Sequence, residues 1–314
     1  MPWLRFIPET TNIDFVGWRY YAFAVDGLLV LISIISIAVQ GFNLGIDFTG
    51  GASVEAKAPY SVDIGALRSH IGGGGLGEVR IQTVSGGQCD RPADSCVLVR
   101  AQPKGNMTGE AAIQTIVRQL GPKFTIRSHV FVGPKVSQEL FRDGVLATVL
   151  AVVFISIYVA IRFEWQYGIG ALVATGHDVF VTAGLFSVLQ LDFTLNTVAA
   201  LLLLAGYSIN DTVIVFDRIR ENRRKYKRMA LPDLINLSTN QIATRTTLVS
   251  AATAMSMLPL LFFGGPVLFN FSAAILFGIL VGTFSSTYVA AALLLYLPAP
   301  AGSIEERTDG KATA

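Results

Sequence analysis

The feature that most constrains the fold of this chain is a series of long apolar runs with almost no charged side chains. A helix needs about 20 apolar residues to cross the roughly 30 Å hydrocarbon core of a bilayer. Only His177 and Asp178 interrupt one of these runs, and the last run is long enough for two helices broken at Gly264, Gly265 and Pro266. The runs cover residues 27–46, 144–161, 165–191, 193–210 and 246–304.

The composition agrees with this interpretation. Hydrophobic residues make up 52% of the chain and charged residues 15%, and the mean hydropathy is +0.54. Ordinary soluble domains carry far more charge. We therefore predict an α-helical polytopic membrane protein with six transmembrane helices. A cleavable signal peptide is not expected, because the first run is long and the segment Gly45–Gly51 after it does not resemble a small-residue cleavage site.

The distribution of Lys and Arg predicts the orientation. The segment 218–228 has seven basic residues in eleven, whereas the loops 190–194 and 264–268 have none. Basic loops stay in the cytoplasm, so both chain termini are expected there too. A basic run beside a membrane is typical of a topology and anionic-lipid signal, and we do not expect it to bind nucleic acid.

The longest polar segment, residues 47–141, then lies outside the cytoplasm, between the first and second helices. Its pattern predicts strand, helix, strand, strand, helix and strand, the order of a ferredoxin-like α+β domain. The expected strands are 52–56, 78–84, 96–101 and 125–132, and the expected helices are 62–71 and 108–120. The glycines 72–75 are interpreted as a flexible turn, because they lack the Lys and Ser/Thr of a phosphate-binding loop.

These interpretations divide the chain into consecutive parts. The tail is polar and aperiodic, so we expect it to be disordered. The parts are a cytoplasmic segment (1–19), a first helix (20–46), the extracytoplasmic domain (47–141), helices two to six (142–303) with a basic cytoplasmic loop (218–244), and a cytoplasmic tail (304–314).

The two cysteines of the chain, Cys89 and Cys96, both fall in the extracytoplasmic domain, across the expected hairpin between its second and third strands. In an oxidising compartment such a pair forms a disulfide that pins the hairpin tip, and free thiols are the alternative. A metal site is not expected, because two sulfurs without a nearby histidine are too few ligands for zinc.

Asp211 is the strongest candidate for a functional residue. It interrupts the apolar stretch from Thr197 to Phe216. A carboxylate in a membrane helix costs about 2.5–3.5 kcal/mol on insertion scales, and such residues commonly mark ion or proton pathways. No nucleotide-binding motif occurs in the chain, so a membrane gradient is the expected energy source.

Four motifs in order resemble the SecD/SecF family of bacterial protein-export membrane proteins, within the resistance-nodulation-division superfamily. The resemblance extends from Phe15 to about Leu297. The motifs are Gly45-Ile-Asp-Phe-Thr-Gly-Gly51, Val132-Gly-Pro-Lys-Val-Ser-Gln-Glu-Leu140, Arg162-Phe-Glu-Trp165 and the segment from Gly206 to Asn222 with Asn210-Asp211-Thr212 at its centre.

The resemblance implies a subunit of the bacterial inner membrane that pairs with SecD, docks on the SecYEG channel and uses the proton motive force to promote translocation of a preprotein, with YajC as a further candidate partner. It implies no cofactor and no enzymatic activity. Its proton path maps onto Asp211 and onto Arg245 at the head of the fifth helix, which we expect at a depth similar to that of Asp211.

Several of these residues have a second interpretation. Arg245 on its own is equally typical of a basic side chain that reaches the membrane surface. Asp178 either extends the proton relay or fixes its helix to Ser or Thr neighbours. Asp217 is expected to pair with nearby arginines rather than to carry protons. For Gly45, Asp47, Gly50 and Gly51 we favour a structural turn, in which the glycines allow a sharp bend and Asp47 caps backbone donors.

Two other functions fit the sequence less well. A six-helix half-transporter of the same superfamily that exports a small molecule or lipid is disfavoured by the compact extracytoplasmic domain and by the Gly45–Gly51 and Asn210-Asp211-Thr212 motifs. An intramembrane hydrolase built on His177 and Ser208 lacks the glycine expected after a nucleophilic serine in the segment 206–209. We therefore expect a transport protein and not an enzyme.

Overall fold

The computed structural model describes residues 11–71, 76–84, 89, 92, 95–103 and 107–298. The expected glycine turn at 72–75, the expected disordered tail at 304–314 and residues 1–10 of the N-terminal segment lie outside these residues.

Six helices in the described part are long and apolar enough to cross a membrane. This matches the six transmembrane helices expected from the apolar runs. The sixth comprises a helix, a π-helical turn at Ser286–Ala290 and a last helical turn, α10, at Ala291–Leu293. The helices are α1 (Arg19–Gln40), α5 (Pro134–Arg162), α6 (Trp165–Val188), α7 (Leu195–Lys225), α8 (Leu231–Phe263) and α9 (Gly265–Ser285).

The first membrane helix is shorter than expected. The sequence predicts a helix to residue 46, but α1 ends at Gln40. Gly41 adopts a left-handed conformation (φ 68°), which ends the helix. Strand β1 (Asn43–Leu44) then pairs in parallel with β6 (Asp192–Phe193), just before α7. The predicted helix was too long because residues 41–46 carry no charge and yet are not part of α1.

The polar segment between α1 and α5 folds as a four-stranded antiparallel sheet with two helices. The expected strands and helices are confirmed, with ends that differ by at most two residues. A short helix, α2 (Ile46–Thr49), precedes β2 (Gly51–Lys57), α3 (Ile64–Ile71), β3 (Val79–Val84), β4 (Cys96–Ala101), α4 (Gly109–Leu120) and β5 (Thr125–Val132). The sheet order is β3-β4-β2-β5.

Alternating side chains of the sheet build the core of this domain. In β2, Ala52, Val54 and Ala56 are fully buried, as the period of two predicts for a half-buried strand. Helix α4 packs on the same face through Ile113 and Ile116. Thr108 caps the start of α4 by accepting a hydrogen bond from the backbone N–H of Ala111 at 3.3 Å.

Helix α7 is central to the membrane bundle. It packs against α5, α6, α8 and α9, and α1 packs against α6. The hydroxyl groups of Ser36 and Ser187 are 2.8 Å apart across the α1–α6 interface. Helix α8 buries little of its surface within the chain. The buried apolar positions of α7 therefore fix the location of the polar residues that the same helix carries.

Candidate functional site

Polar side chains from five membrane helices meet inside the apolar bundle. They form two neighbouring groups, one around Asp211 and one around Asp178. Ser208 and Asp211 are three residues apart on α7, so both groups lie on the same side of that helix. The contributing residues are Asp26 on α1, His177 and Asp178 on α6, Tyr207, Ser208 and Asp211 on α7, Ser250 on α8 and Thr283 on α9.

Asp211 is buried, with 1% of its surface exposed. Its Oδ2 accepts a hydrogen bond from the Ser250 hydroxyl at 3.4 Å, whereas its Oδ1 has no hydrogen-bond partner within the described ranges. An ionised carboxylate only accepts hydrogen bonds, and an unpaired charge among apolar side chains is costly. A proton on this carboxyl group removes the charge and supplies a donor.

Hydroxyl groups from three helices converge beside Asp211. Ser250 and Thr283 are 2.8 Å apart, and either one can be the donor. The Tyr207 hydroxyl donates to Ser250 at 3.3 Å. Hydroxyl groups both donate and accept hydrogen bonds, so this group can reorganise when the protonation of Asp211 changes.

Arg245 is not the partner of Asp211, although the sequence analysis placed the two at similar depth. Helices α7 and α8 run antiparallel, since Asn222 donates to Ser238 (2.9 Å) while Ser250 donates to Asp211. Arg245 precedes Ser250 by five residues, about 7.5 Å along the helix. It lies nearer the basic end of α7, and within the described residues it makes no ion pair with Asp211.

Arg245 instead lines an open cavity of about 560 Å³ between α5, α7 and α8. The cavity wall combines acidic, basic and apolar side chains. Asp217 and Glu221 lie on the α7 side, and Arg218 connects Glu221 (2.6 Å) to Gln241 (2.8 Å). Asp217 thus shares this cavity with Arg245 and Arg218, close to the basic environment that the sequence predicts for it.

Asp178 is fully buried and has partners on both carboxylate oxygens. Its Oδ2 accepts a hydrogen bond of 2.5 Å from the Ser208 hydroxyl, and its Oδ1 lies 3.1 Å from His177 Nδ1. Gly282 on α9 is also close, since a Cβ there would lie 3.2 Å from Asp178 Oδ2. Asp178 therefore joins α6 to α7 through a serine, which is the second of the two interpretations proposed for it.

Asp26 was missed by the sequence analysis, which began the first apolar run one residue later. Its side chain is buried against α6, 5% exposed, and neither carboxylate oxygen has a hydrogen-bond partner in the part of the chain that the structure describes. The nearest titratable neighbour is His177, whose Nε2 lies 3.8 Å from Asp26 Oδ1. The signal was present, since Asp26 is the only charged residue between Tyr20 and Ile46.

The Gly45–Gly51 motif forms a turn that contacts the start of α7. Asp47 Oδ2 accepts a hydrogen bond of 3.0 Å from the backbone N–H of Leu195, the first residue of α7. Gly50 and Gly51 have φ values of 71° and 115°, which L side chains rarely adopt. Gly45 approaches Thr194 closely, with no room for a Cβ. This geometry agrees with the structural turn favoured for these residues.

Asp192 connects the sheet domain to the loop between α6 and α7. Arg100 of β4 donates two hydrogen bonds to its carboxylate, at 2.9 and 2.7 Å. Gln82 of β3 and Asn43 of β1 each donate another at 2.9 Å. Sequence analysis did not single out Asp192, because its partners lie far away in the chain.

Cys89 and Cys96 are close enough to be bonded. Their sulfur atoms are 2.12 Å apart and their Cα atoms 5.3 Å apart. The guanidinium group of Arg127 lies beside them, with Nη1 at 2.8 Å from Cys89 Sγ and 3.0 Å from Glu55 Oε1. Among the described residues no cluster of His, Cys, Asp and Glu has the geometry of a metal site.

The sequence of this chain matches two models of a known protein family. The chain matches the family "Protein export membrane protein SecD/SecF, C-terminal" over residues 112–299 and the "SecD/SecF GG Motif" over residues 35–58. The second match covers the turn that holds the start of α7.

Relatives of nearly equal length are similar along the whole chain. "Protein translocase subunit SecF" of Rhodobacter capsulatus is 40% identical over 305 residues, which cover 94% of this chain and 91% of that protein. The protein of the same name from Rickettsia typhi is 37% identical over 293 residues, covering 93% and 94%.

Two solved structures have a similar fold. The crystal structure of SecDF, a translocon-associated membrane protein from Thermus thermophilus, is 35% identical with a TM-score of 0.82, and SecDF in a super-membrane-facing form is 36% identical with a TM-score of 0.66. They cover 94% and 91% of this chain, but the chain spans only 39% of each SecDF chain. On these similarities the chain belongs to the SecD/SecF family of protein-export membrane proteins.

Proposed function

We propose that this chain is a protein translocase subunit that works with a SecD partner and uses the proton motive force to promote protein translocation across the bacterial inner membrane. The names of the relatives support the translocase role. The matched SecDF chains are much longer than this chain, which supports a partner that supplies the missing part. SecYEG is the proposed channel, and YajC is a further proposed partner.

The observation that carries the proton coupling is the burial of Asp211. Its carboxyl group lies inside a membrane helix with one hydrogen bond and one unpartnered oxygen. A charge moving through 100 mV gains or loses about 2.3 kcal/mol, enough to shift a balanced equilibrium about fiftyfold at 1.4 kcal/mol per factor of ten. Protonation of Asp211 is the proposed step at which this energy is used.

Arg245 is proposed to control entry to Asp211 rather than to pair with it in this conformation. Its side chain is exposed to the open cavity that Asp217 also lines. A movement of α8 along α7 by about one helical turn, 5.4 Å, would bring Arg245 towards the level of Asp211. A cation near a carboxylate stabilises its charged form, so this movement would favour proton release.

Helix α7 offers a route from Asp211 to the sheet domain. Asp47 binds the first turn of α7 and Arg100 binds Asp192 just before it. A shift of α7 therefore acts on two contacts at the base of the domain. Asp178 is proposed to hold α6 against α7 through Ser208 rather than to exchange protons with Asp211.

The sheet domain is proposed to be a ferredoxin-like domain on the extracytoplasmic side. The strand and helix order and the antiparallel sheet support this assignment. The seven basic residues in segment 218–228, at the other end of α7, support a cytoplasmic location for that end. Both chain termini are then cytoplasmic.

Export of a preprotein into vesicles that contain the Asp211→Asn variant tests the coupling. Asparagine keeps the size of the side chain but cannot release a proton. We expect the gradient-dependent part of export to be lost, while assembly with SecD is retained. Asp143→Asn is a matched control, since Asp143 is exposed near the start of a membrane helix and pairs with its neighbour Arg142.

Unchanged gradient-driven export by Asp211→Asn contradicts the proposed role of this residue. If export of preproteins is unaffected by complete removal of the chain, the translocase proposal itself is wrong. The alternative, a half-transporter that exports a small molecule or lipid, would then be examined by gradient-driven flux from the same vesicles.

A further inference from the structure

We propose that the space between Asp26 and His177 is a second proton-binding site, separate from Asp211, which controls how tightly α1 packs on α6. The site takes one proton, which the imidazole Nε2 and the Asp26 carboxylate share. This proposal rests on geometry at the α1–α6 interface and does not require that Asp211 drives export.

Asp178 determines which nitrogen of His177 is free. Its Oδ1 lies 3.1 Å from His177 Nδ1, and its Oδ2 is occupied by the Ser208 hydroxyl. An ionised carboxylate only accepts hydrogen bonds, so Nδ1 must carry the proton of a neutral imidazole. The opposite nitrogen, Nε2, is then a lone-pair acceptor directed towards α1.

The group that faces this lone pair is also an acceptor. Asp26 Oδ1 lies 3.8 Å from His177 Nε2, which is longer than a hydrogen bond. Asp26 Oδ1, Asp26 Oδ2 and His177 Nε2 are all buried, and none of the three atoms has a hydrogen-bond partner among the described residues. One additional proton between the two side chains supplies the donor that both of them lack.

The charge balance of the cluster also favours proton binding. With His177 neutral and both aspartates ionised, two negative charges would be buried inside the membrane-spanning bundle, a costly arrangement. A bound proton reduces the net charge of the three residues to one negative charge. Interacting groups at this distance titrate together rather than independently.

Among the described residues, no other titratable group forms a hydrogen bond or an ion pair with Asp26 or His177. Helix α9 has no titratable residue, and α5 contributes only Tyr158 between residues 144 and 161. On α7 the nearest groups are Tyr207 and Asp211, one residue before and three residues beyond Ser208, and Tyr288 lies in the π-helical turn that packs against α1 and α6. The aspartates on α1 and α6 are therefore the charges that the imidazole meets.

Proton binding at this site has a structural consequence. A donor between Nε2 and Oδ1 allows their separation to shorten from 3.8 Å to about 2.8 Å, the length of a charge-assisted hydrogen bond. Helices α1 and α6 are already in contact at Ser36 and Ser187 (2.8 Å), and Ser187 also donates to Gly41 O at 2.7 Å. A shorter distance between Nε2 and Oδ1 would therefore tilt α1 about its contacts with Ser187, which stay in place.

Nitrogen NMR of the histidine ring tests the proposal directly. His70 and His129 lie in the sheet domain, so the substitutions His70→Gln and His129→Gln leave His177 as the only histidine. The full chain, labelled with ¹⁵N-histidine and combined with an unlabelled SecD partner, is placed in lipid nanodiscs and titrated. We expect Nδ1 to stay protonated throughout while Nε2 gains a proton on acidification.

Asp26→Asn separates a shared site from an ordinary histidine. The asparagine side chain supplies a permanent N–H donor to Nε2. We therefore expect Nε2 of this variant to stay unprotonated at the pH values at which Nε2 is protonated in the chain that retains Asp26. An unchanged Nε2 titration in Asp26→Asn overturns the proposal. The proposal is also overturned if Nε2 stays unprotonated at every pH in the chain that retains Asp26.

Infrared spectra give a second measurement that needs no folded Asp26 variant. Difference spectra between alkaline and acidic buffer, recorded with and without His177→Gln, should show an altered carboxyl band for the Asp26 group. An identical carboxyl spectrum in both chains overturns the shared site. Asp211→Asn should leave the His177 signals unchanged, so failure of the export proposal and failure of this one give different results.

Discussion

The guanidinium group of Arg100 holds the carboxylate of Asp192 through two hydrogen bonds, and this pair joins β4 to the segment before α7. Both side chains are mostly buried, each 15% exposed. Two-point pairing between a guanidinium group and a carboxylate also fixes their relative orientation. The sheet domain and the membrane bundle are therefore connected by more than the covalent chain.

Arg100→Ala is expected to loosen this connection. Each hydrogen bond to a charged group is worth about 1.5–3 kcal/mol, and the substitution leaves Asp192 with only Gln82 and Asn43 as side-chain partners. Hydrogen exchange at β1 and β6 should become faster.

Arg80→Ala is the control for that prediction. Arg80 lies opposite Arg100 in the sheet but pairs with Glu78 at an exposed position. Exposed pairs contribute little, so exchange at β1 and β6 should not change. Equal effects of the two substitutions would mean that Arg100 acts only within the sheet.

Ser250→Ala is expected to impair the Asp211 site without changing the charge of the chain. The substitution removes the one hydrogen-bond donor to Asp211 and also a partner of Thr283 and Tyr207. A single hydrogen bond contributes about 0.5–1.5 kcal/mol. The gradient-dependent component of export is the quantity to measure.

Ser256→Ala is the matched change on the same helix. Ser256 is exposed, and its hydroxyl binds a backbone carbonyl within α8. Its export activity should equal that of the unmodified chain. If Ser250→Ala behaves in the same way, the hydroxyl cluster does not contribute to the site.

Gly282→Ala should separate α9 from α6. An added methyl group would lie 3.2 Å from Asp178 Oδ2 and 3.5 Å from Ser208 Cβ. Asp178 has no room to move, because His177 and Ser208 hold its two oxygens. Overpacking typically costs about 1–3 kcal/mol, so thermal unfolding should occur at a lower temperature.

Gly206→Ala should behave in the opposite way. Nothing lies within 4 Å of a Cβ at Gly206, and alanine favours a helix by up to about 1 kcal/mol. The unfolding temperature should be equal or higher. Equal destabilisation by both alanines would show that close packing at Gly282 is not the cause.

The contact of the N-terminal turn with α8 should weaken in acid. Asp14 Oδ1 accepts hydrogen bonds from the backbone N–H of Gly17 (2.8 Å) and from Asn236 Nδ2 (2.7 Å), and these bonds lower the pKa of Asp14 below its ordinary 3.8. A lowered pKa means that the stabilisation is present above the ordinary value. It is lost as pH falls through the lowered pKa.

Amide exchange at Gly17, corrected for its intrinsic pH dependence, measures this effect. Protection should decrease as the pH falls below 3.8 and through the lowered pKa at which folded Asp14 takes up its proton. In Asp14→Asn the corrected protection should not vary with pH. A decrease of equal size in that variant would assign the pH dependence to another group.

The cysteine pair is expected to be oxidised, because both cysteines lie in the domain that is proposed to face the oxidising extracytoplasmic side. A loop closed over seven residues contributes roughly 2.5 kcal/mol in the chain-entropy account. Mass spectrometry after alkylation should find both thiols blocked until a reductant is added. Alkylation of the untreated protein would contradict the disulfide.

The number of membrane helices and the elements of the sheet domain could be read from the sequence because they depend on local properties. The period of two in β2 and the length of the apolar runs do not require knowledge of any distant residue. The end of α1 at Gln40 was missed because the absence of charge does not distinguish a helix from an apolar turn and strand.

Individual residues of the candidate site could be predicted from the sequence, but the contacts between them could not. Asp211 was recognisable because a carboxylate in an apolar helix is costly whatever surrounds it. Its hydrogen bond to Ser250, rather than a pairing with Arg245, depends on how far α8 is shifted along α7. The sequence carries no direct signal for that shift.

The sequence by itself determined that this chain has six membrane helices, a polar α+β segment after the first, and Asp211 inside the fourth. Only the tertiary structure decided that His177 faces Asp26 and that Arg100 holds Asp192. The physical reason is that the length and the periodicity of apolar segments depend on residues that are neighbours in the chain. Contacts between helices depend on the packing of residues that lie far apart in it.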